Sequence, residues 1–367
     1  MTKGYRTPRY GRLLEEFEVG AVYPHPWEVT VDAGALALCA GSFLDATPVY
    51  ASARFARALG FRDRPVHPLA LLNFGLSFSV HDVSEQAIAH LAYIDVRFPN
   101  ACYAGDTLRA SSTVLGVKPS SEGARGVVHV RTVLGADGAD GARVVCQFER
   151  KVLVKAGGTV LDRPAPPATP PSPHAAVMGR LPPQLGGSLD LRGCATGFAG
   201  FFEDFAPGDV ICHDIGRTVS EAEHMQLTYL FRNTHPVHFE EPYALGGFAK
   251  TRVVYGGLVF GWIASLASRD TSGNVLWEAG FDKGAHPAGV VAGDTLYAAS
   301  RVVSCVDSGR ECGTVTFRLV GTKNVKPAAL LDKGADLFSD ELSKAGPEKV
   351  REKVFEIERT SLVRKRP

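Results

Sequence analysis

The sequence has almost no net charge: 40 Lys and Arg stand against 39 Asp and Glu, a formal +1. A nucleic-acid binder needs a basic excess to neutralise phosphates, so that partner class is excluded at this level. Nor is there a run of about twenty apolar residues, which excludes a membrane-spanning helix. The opening MTKGYRTPRYGRLLEEFEVG has no apolar core of signal-peptide length. The seven cysteines, at 39, 102, 146, 194, 212, 305 and 312, form no Cys-x-x-Cys pair. That spacing excludes a thiolate metal centre and a dithiol redox motif, and an odd, dispersed set fits buried free thiols in a reducing compartment. These absences predict a cytoplasmic protein without a metal, with no nucleic-acid or membrane partner.

What is present is a globular composition, 45% hydrophobic and 22% charged, over 367 residues, enough for two domains. Between Arg163 and Pro183 the chain reads RPAPPATPPSPHAAVMGRLPP. Proline at that density can neither pair in a sheet nor sustain a helix, so the stretch is expected to be an extended connector. It divides the chain into near-equal halves, and the halves repeat. Adding 188 carries Phe17 to Phe205, Gly20 to Gly208, Pro48 to Pro236, Val66 to Val254 and Pro99 to Pro287. The same step carries AGDTL at 104–108 onto AGDTL at 292–296. An identical pentapeptide in unbroken register means duplication.

Each copy has the same order of signals. A short strand (PWEVTVD, IGRTVSE) leads into a helical run (AGALALCAGSFL, AEHMQLTYLFR), then a Pro-Val segment (DATPVY, NTHPVH). A long apolar helix follows, LALLNFGLSFSVHDV or LVFGWIASLAS, with too few charges to present a solvent face. Val- and Thr-rich strands separated by Gly-Asp turns complete the unit (TLRASSTVLGV, GVVHVRTVL, ARVVCQFERKVLV). One buried helix and an antiparallel sheet predict an α+β unit in which the sheet wraps the helix. The expected layout is residues 1–158, a connector at 159–187, a second unit at 188–335, and a charged tail at 336–367 read as a surface helix with a basic end.

These features resemble the hot-dog fold, and specifically the MaoC-like or R-specific enoyl-CoA hydratases. That family's motif runs Asp-x-Asn-Pro-aliphatic-His, with a His-Gly pair about seventeen residues later at the start of the central helix. Here the second copy offers Asn233 to His238 and then VYGGL, with Gly256 and Gly257; the first offers Asp45 to Tyr50 and then VHPLA, with His67 and Pro68. The resemblance covers nearly all of both halves. It implies a double hot-dog, one chain standing in for a dimer of single domains, and leaves a homodimer of the whole chain open. Among double hot-dogs of this length the chain is most similar to the mesaconyl-CoA hydratase family. That implies reversible addition of water to a small-molecule acyl-CoA, mesaconyl-CoA giving β-methylmalyl-CoA, without a cofactor.

Hydration of an enoyl thioester needs a base for the water and donors for the charge that grows on the thioester oxygen. Helix-start N–H groups supply the second. Gly256 and Gly257, after Tyr255, leave such groups free, whereas Pro68 in the first copy has none. His238 can exchange a proton near neutrality, whereas Tyr50 at its position is a poor base. A lone histidine is more often structural; here it coincides with an intact helix start, and the second copy is read as the active one.

Asn233 can position water through its amide but cannot exchange a proton. Glu240 and Glu241, just past His238, are candidates to orient the imidazole, against the commoner role of surface charge. Asp45 is the only acid at a motif Asp position and marks a vestigial pocket. Arg232, Lys250 and Arg252 are candidates to bind a substrate carboxylate or the CoA phosphates. The competing readings are an R-specific hydratase of other enoyl-CoA esters, a non-catalytic acyl-CoA-binding protein and a thioesterase.

Overall fold

The structure, a computed structural model, describes residues 5–121, 123–158, 171–187, 189–309 and 311–367. The connector at 163–183 lies partly outside these residues; its described part includes a single helical turn, Ala175–Met178, where the prolines thin out. The strands are β1 (Val22–Thr30), β2 (Ala87–Arg97), β3 (Thr107–Pro119), β4 (Arg125–Asp137), β5 (Arg143–Lys155), β6 (Val210–Thr218), β7 (Val275–Ala285), β8 (Thr295–Asp307), β9 (Cys312–Lys323) and β10 (Lys353–Arg364). They form a single ten-stranded sheet in the order β1-β3-β4-β5-β2-β7-β10-β9-β8-β6. The order is palindromic under the repeat, so a pseudo-twofold axis passes between β2 and β7. There Tyr93 pairs with Gly284, Val96 with Phe281 and Arg97 with Gly280.

Each half wraps one central helix, Pro68–Phe78 or Gly256–Thr271. Every residue of Pro68–Phe78 is buried, as its uninterrupted apolar run requires. Burying a Leu or Phe side chain contributes about 1.5–3 kcal/mol, so these helices anchor the fold. The helix before each motif is capped by a side chain in the preceding turn: Asp32 Oδ1 accepts from Ala35 N at 2.7 Å, and Ser220 Oγ from Glu223 N at 3.5 Å. One apolar core runs through both halves. Phe231 meets Phe43 and Phe74 across the axis at ring distances of 6.5 and 4.9 Å, and Phe61 stacks on Trp277 at 5.4 Å.

A His–Asp–Ser set with a buried imidazole and hydroxyl occurs twice in the same register. His25 meets Asp82 at 2.9 Å and Ser112 at 2.7 Å; His213 meets Asp270 at 2.6 Å and Ser300 at 3.0 Å. Each sits where the register of β1 or β6 slips. Pinning a bulge explains why both copies carry the set.

Two expectations are corrected. The tail at 336–367 is no appendage: β10 lies between β7 and β9 in the interior of the sheet, and most of its residues are buried. The second unit therefore runs to Arg364. Residues 138–142 join β4 to β5, but 324–352 join β9 to β10, and this insertion breaks the 188 step. Its Leu330, Leu337 and Phe338 cover Val320 and Ala299 on the outer face of the sheet. The charges that read as surface charge are partly buried partners: Glu356 binds Lys353 at 2.6 Å and Arg318 at 2.8 Å. Second, β2 and β7 were not foreseen as strands, although they join the halves.

Candidate active site

Three repeat-equivalent positions define a site in each half. In the first copy they hold Asp45, Tyr50 and His67; 188 residues on they hold Asn233, His238 and Tyr255. Each motif faces the sheet of the opposite half. Tyr50 Oη accepts from the Glu278 N–H on β7 at 3.0 Å, while His235 Nε2 donates to the Ala87 carbonyl on β2 at 3.2 Å.

The first-copy site is closed. Tyr50 is 5% exposed and packs against His67 and Trp277, with ring centroids at 4.9 and 5.5 Å. Burial pushes its hydroxyl well above the usual tyrosine pKa, so it is no base. Asp45, kept as a second-rank candidate, is brought to His67, Oδ1 to Nε2 at 3.5 Å. Burial works to raise its carboxyl pKa, but His67 prevails and lowers it to about 2. Both border a cavity of about 30 Å³ with Leu36, Cys39 and Phe43, far too small for an acyl-CoA. At the helix start Pro68 has no N–H, and the Leu69 N–H is taken by His67 Nδ1 at 3.1 Å. No donor is left for a thioester oxygen.

The second-copy site differs at each point. His238 Nδ1 lies 2.8 Å from the Val253 carbonyl. A carbonyl only accepts, so Nδ1 carries the hydrogen and Nε2 keeps its lone pair. Desolvation, then repulsion from His235, lowers the imidazole pKa to about 3, so the ring is neutral. Its ring centroid is 5.6 Å from that of Tyr255. The helix beginning at Gly256 has no side-chain cap from Tyr255, which leaves its first N–H groups without a competitor.

Close neighbours require glycine at 257 and leave little room at 256. A Cβ on Gly256 would stand 3.0 Å from His286 Nε2, and one on Gly257 would stand 2.2 Å from Asn73 Oδ1. Asn73 comes from the other central helix and donates Nδ2 to the Gly257 carbonyl at 3.1 Å. Tyr255 donates its hydroxyl to the Asn73 carbonyl at 3.3 Å, which locks the two central helices together beside Gly257. Asn233 is 4% exposed, and its Oδ1 accepts from His235 N at 3.0 Å. Asp45 makes the same turn bond to Thr47 N at 2.8 Å. The amide nitrogen of Asn233 therefore faces away from that bond.

The remaining candidates lie as follows. Arg252 is held by Glu221 and, at 2.9 Å, by Glu241. It is not a free cation, and Glu241 orients Arg252, not the imidazole, whose orientation comes from the Val253 carbonyl. Glu240, Arg232 and Lys250 are exposed.

Sequence reading missed the sheet side of the site. Tyr93 on β2 hydrogen-bonds His286 Nε2 at 3.1 Å, and His90 packs on Tyr93 with ring centroids at 4.2 Å. Arg150 on β5 is the cross-strand neighbour of Tyr93. Glu85 is also present, its carboxyl pKa raised by burial, accepting from Thr234. The 188 step itself was the available signal: it sets His90 against Glu278.

The comparisons agree with this architecture. A family profile described as mesaconyl-CoA hydratase matches residues 4–161. β-Methylmalyl-CoA dehydratase of Chloroflexus aurantiacus is 31% identical over 318 residues, covering 86% of this chain and 89% of that protein. Mesaconyl-CoA hydratase of Cereibacter sphaeroides is 33% identical over 316 residues, covering 86% and 90%. Among solved structures, a MaoC-domain dehydratase from Chloroflexus aurantiacus superposes with a TM-score of 0.80 at 28% identity, over 97% of this chain and 98% of that one. A double hot-dog protein from Mycobacterium tuberculosis, 19% identical with a TM-score of 0.71 over 96% and 98%, shares the fold. With two relatives above 30% identity along most of its length, this chain belongs to the mesaconyl-CoA hydratase family of MaoC-like double hot-dog hydro-lyases.

Proposed function

We propose that the chain adds water reversibly across the double bond of mesaconyl-CoA to give β-methylmalyl-CoA, in its second-copy site. The observation that carries the reading is the contrast at the helix starts: His67 caps one, and Tyr255 leaves the other uncapped. The names of the relatives supply the substrate.

In this reading the thioester oxygen lies against the N–H groups of Gly256 and Gly257, and Asn233 Nδ2 holds the attacking water. His238 Nε2 takes a proton from that water as its oxygen bonds to the β-carbon. The electron pair of the double bond moves toward the carbonyl, and negative charge grows on the oxygen that the helix start faces. The imidazolium then returns its proton to the α-carbon on the same face. Every atom is conserved, the base is regenerated, and no cofactor enters the balance. In the same reading Arg232, exposed and beside the motif, meets the CoA phosphates. Seven free thiols and a coenzyme A substrate fit a reducing cytoplasm.

The test is loss of enoyl-thioester absorbance with mesaconyl-CoA and crotonyl-CoA in parallel. Preference for mesaconyl-CoA is expected. Preference for crotonyl-CoA would replace the reading with that of a hydratase for unbranched chains, no hydration of either with that of a binding protein, and free CoA with that of a thioesterase.

A further inference from the structure

Mesaconyl-CoA ends in a carboxylate attached to the β-carbon that water attacks. An enzyme selective for it needs a cation within a few ångströms of the reacting atoms, shielded from solvent. The cations nearest the motif in sequence do not qualify, since Arg232 and Lys250 are exposed and Arg252 is held by two glutamates.

Arg150 does qualify. It is 4% exposed, and its guanidinium donates to two hydroxyls, Ser79 Oγ at 2.8 Å and Ser84 Oγ at 3.2 Å. Among the described residues no carboxylate pairs with it, and its Nε has no partner. A buried guanidinium without a counter-charge costs several kcal/mol of lost hydration, so its retention calls for an anion. Two further buried atoms of the same region, His90 Nε2 and Asn73 Oδ1, also have no hydrogen-bond partner. The region adjoins the helix start. Arg150 is paired across strands with Tyr93, Tyr93 hydrogen-bonds His286, and His286 abuts Gly256.

The duplication supplies an internal control. The position of Tyr93 opposite Arg150 is that of Phe281 opposite Arg359, so Arg359 is the counterpart of Arg150. Arg359 is quenched: its Nε lies 2.7 Å from Glu278 Oε2, and Ser361 donates to Oε1 of the same carboxylate at 3.0 Å. The counterpart of Glu278 is His90. The sheet of the second half thus carries a closed ion pair beside the plugged motif of the first half. The sheet of the first half carries the same arginine, with a neutral imidazole in place of the carboxylate, beside the motif read as active.

We propose that Arg150 binds the free carboxylate of the acyl-CoA substrate, taking the place that Glu278 fills against Arg359. The inference rests on the hydratase reading for the identity of the acyl group. It makes Arg150 the residue that selects dicarboxylic over monocarboxylic acyl chains.

The internal control also provides the variant. His90→Glu writes the Glu278–Arg359 pair into the first half, so it is compatible with the fold and occupies Arg150 with a protein carboxylate. Arg150→Met removes the cation outright. Two assays are needed. The first compares kcat/KM for mesaconyl-CoA and for tiglyl-CoA, which carries a methyl group where mesaconyl-CoA has its carboxylate. Both variants should lower the mesaconyl-CoA value by about 100-fold or more, the scale of losing a buried charge-assisted pair, and should spare or improve the tiglyl-CoA value.

The second assay is calorimetric binding of methylsuccinyl-CoA against 2-methylbutyryl-CoA, saturated esters that cannot be hydrated. Wild-type protein should prefer methylsuccinyl-CoA, and His90→Glu should erase the preference. Absence of that preference in the wild type, its survival in His90→Glu, or equal losses on both acyl chains would overturn the assignment. A binding preference that vanishes in His90→Glu, in a protein that hydrates neither enoyl ester, would instead uphold Arg150 and overturn the hydratase reading.

Discussion

Nδ1 of His238 lies 2.8 Å from the carbonyl oxygen of Val253, three residues before the helix-start Gly256. One short segment therefore fixes the tautomer of the base and presents the donors for the oxyanion. His238→Ala should lower kcat for hydration by a factor of about 100 to 10,000, the usual range for losing a general acid–base. Tyr50→Phe, at the equivalent position, should leave kcat within a few-fold but lower stability by about 1–3 kcal/mol, because the Glu278 N–H loses its buried acceptor. Steady-state kinetics with a denaturant titration of both variants checks this. Equal catalytic losses would mean that both copies work.

Gly256→Pro gives the second half the helix start of the first, where Pro68 stands, and proline is tolerated at the first helical position. Removing one donor to the oxyanion should cost roughly 2.7–4 kcal/mol of transition-state stabilisation. Circular dichroism establishes that the variant is folded. A folded variant of normal rate would assign the oxyanion to other groups, Gly257 first.

Asn233→Asp should act through charge. A carboxylate at this position lies near position 238, as the electrostatic effect of Asp45 on Tyr50 shows in the first copy. It should raise the pKa of His238, since an opposite charge favours the imidazolium. With the imidazole at about 3 the wild type has no acidic limb near neutrality; the variant should bring that limb upward into the assay range for hydration. An unchanged pH profile would place Asn233 outside the site. Asn233→Ala should reduce the rate without moving the profile.

Two further histidines, His235 and His286, have pKa values lowered by desolvation to about 4. Both are neutral when folded and titrate near 6.5 when unfolded, so between those values the unfolded chain binds more protons. Stability should therefore be level above pH 7 and fall as the pH drops from about 6.5 toward 4. The slope is at most about 1.4 kcal/mol per pH unit for each group. Melting temperatures from pH 7.5 to 4.5 would show the decline, and His286→Phe, the residue its repeat partner Phe98 already is, should make it shallower, leaving the share of His235. A melting temperature that rises on acidification would contradict the assignment.

The duplication, the two buried helices and the motif positions were legible because the 188 step is unbroken from Phe17 to Leu108 and apolar periodicity marks the helices. β10 was not, because the insertion at 324–352 shifts its register and gives its neighbourhood a charged composition. Those charges are satisfied by each other: Lys353, Glu356 and Arg318 are buried together. β2 escaped notice because it follows the apolar helix with little punctuation, and with it went His90 and Tyr93. Arg150 reads as one more charge in a strand until the sheet shows which face it occupies. Asn233 and His238 were legible as chemistry but not as geometry, since the carbonyl that fixes the imidazole comes from the backbone and has no letter in the sequence.

The placement of β10 has a consequence for biosynthesis. The strand that must slot between β7 and β9 comprises residues 353–364, so it leaves the ribosome after both of the strands it must join. β5, its counterpart, emerges only a few residues after β4, and the first half can close its sheet while the second is still being made. The second half cannot: β7 and β9 must wait with a strand-wide gap between them, and their unpaired edges are open to other chains. Completion is thus a late event that converts an aggregation-prone nascent chain into a closed sheet. Loss of residues 353–364 should leave the chain insoluble, which expression and fractionation of the truncated chain checks.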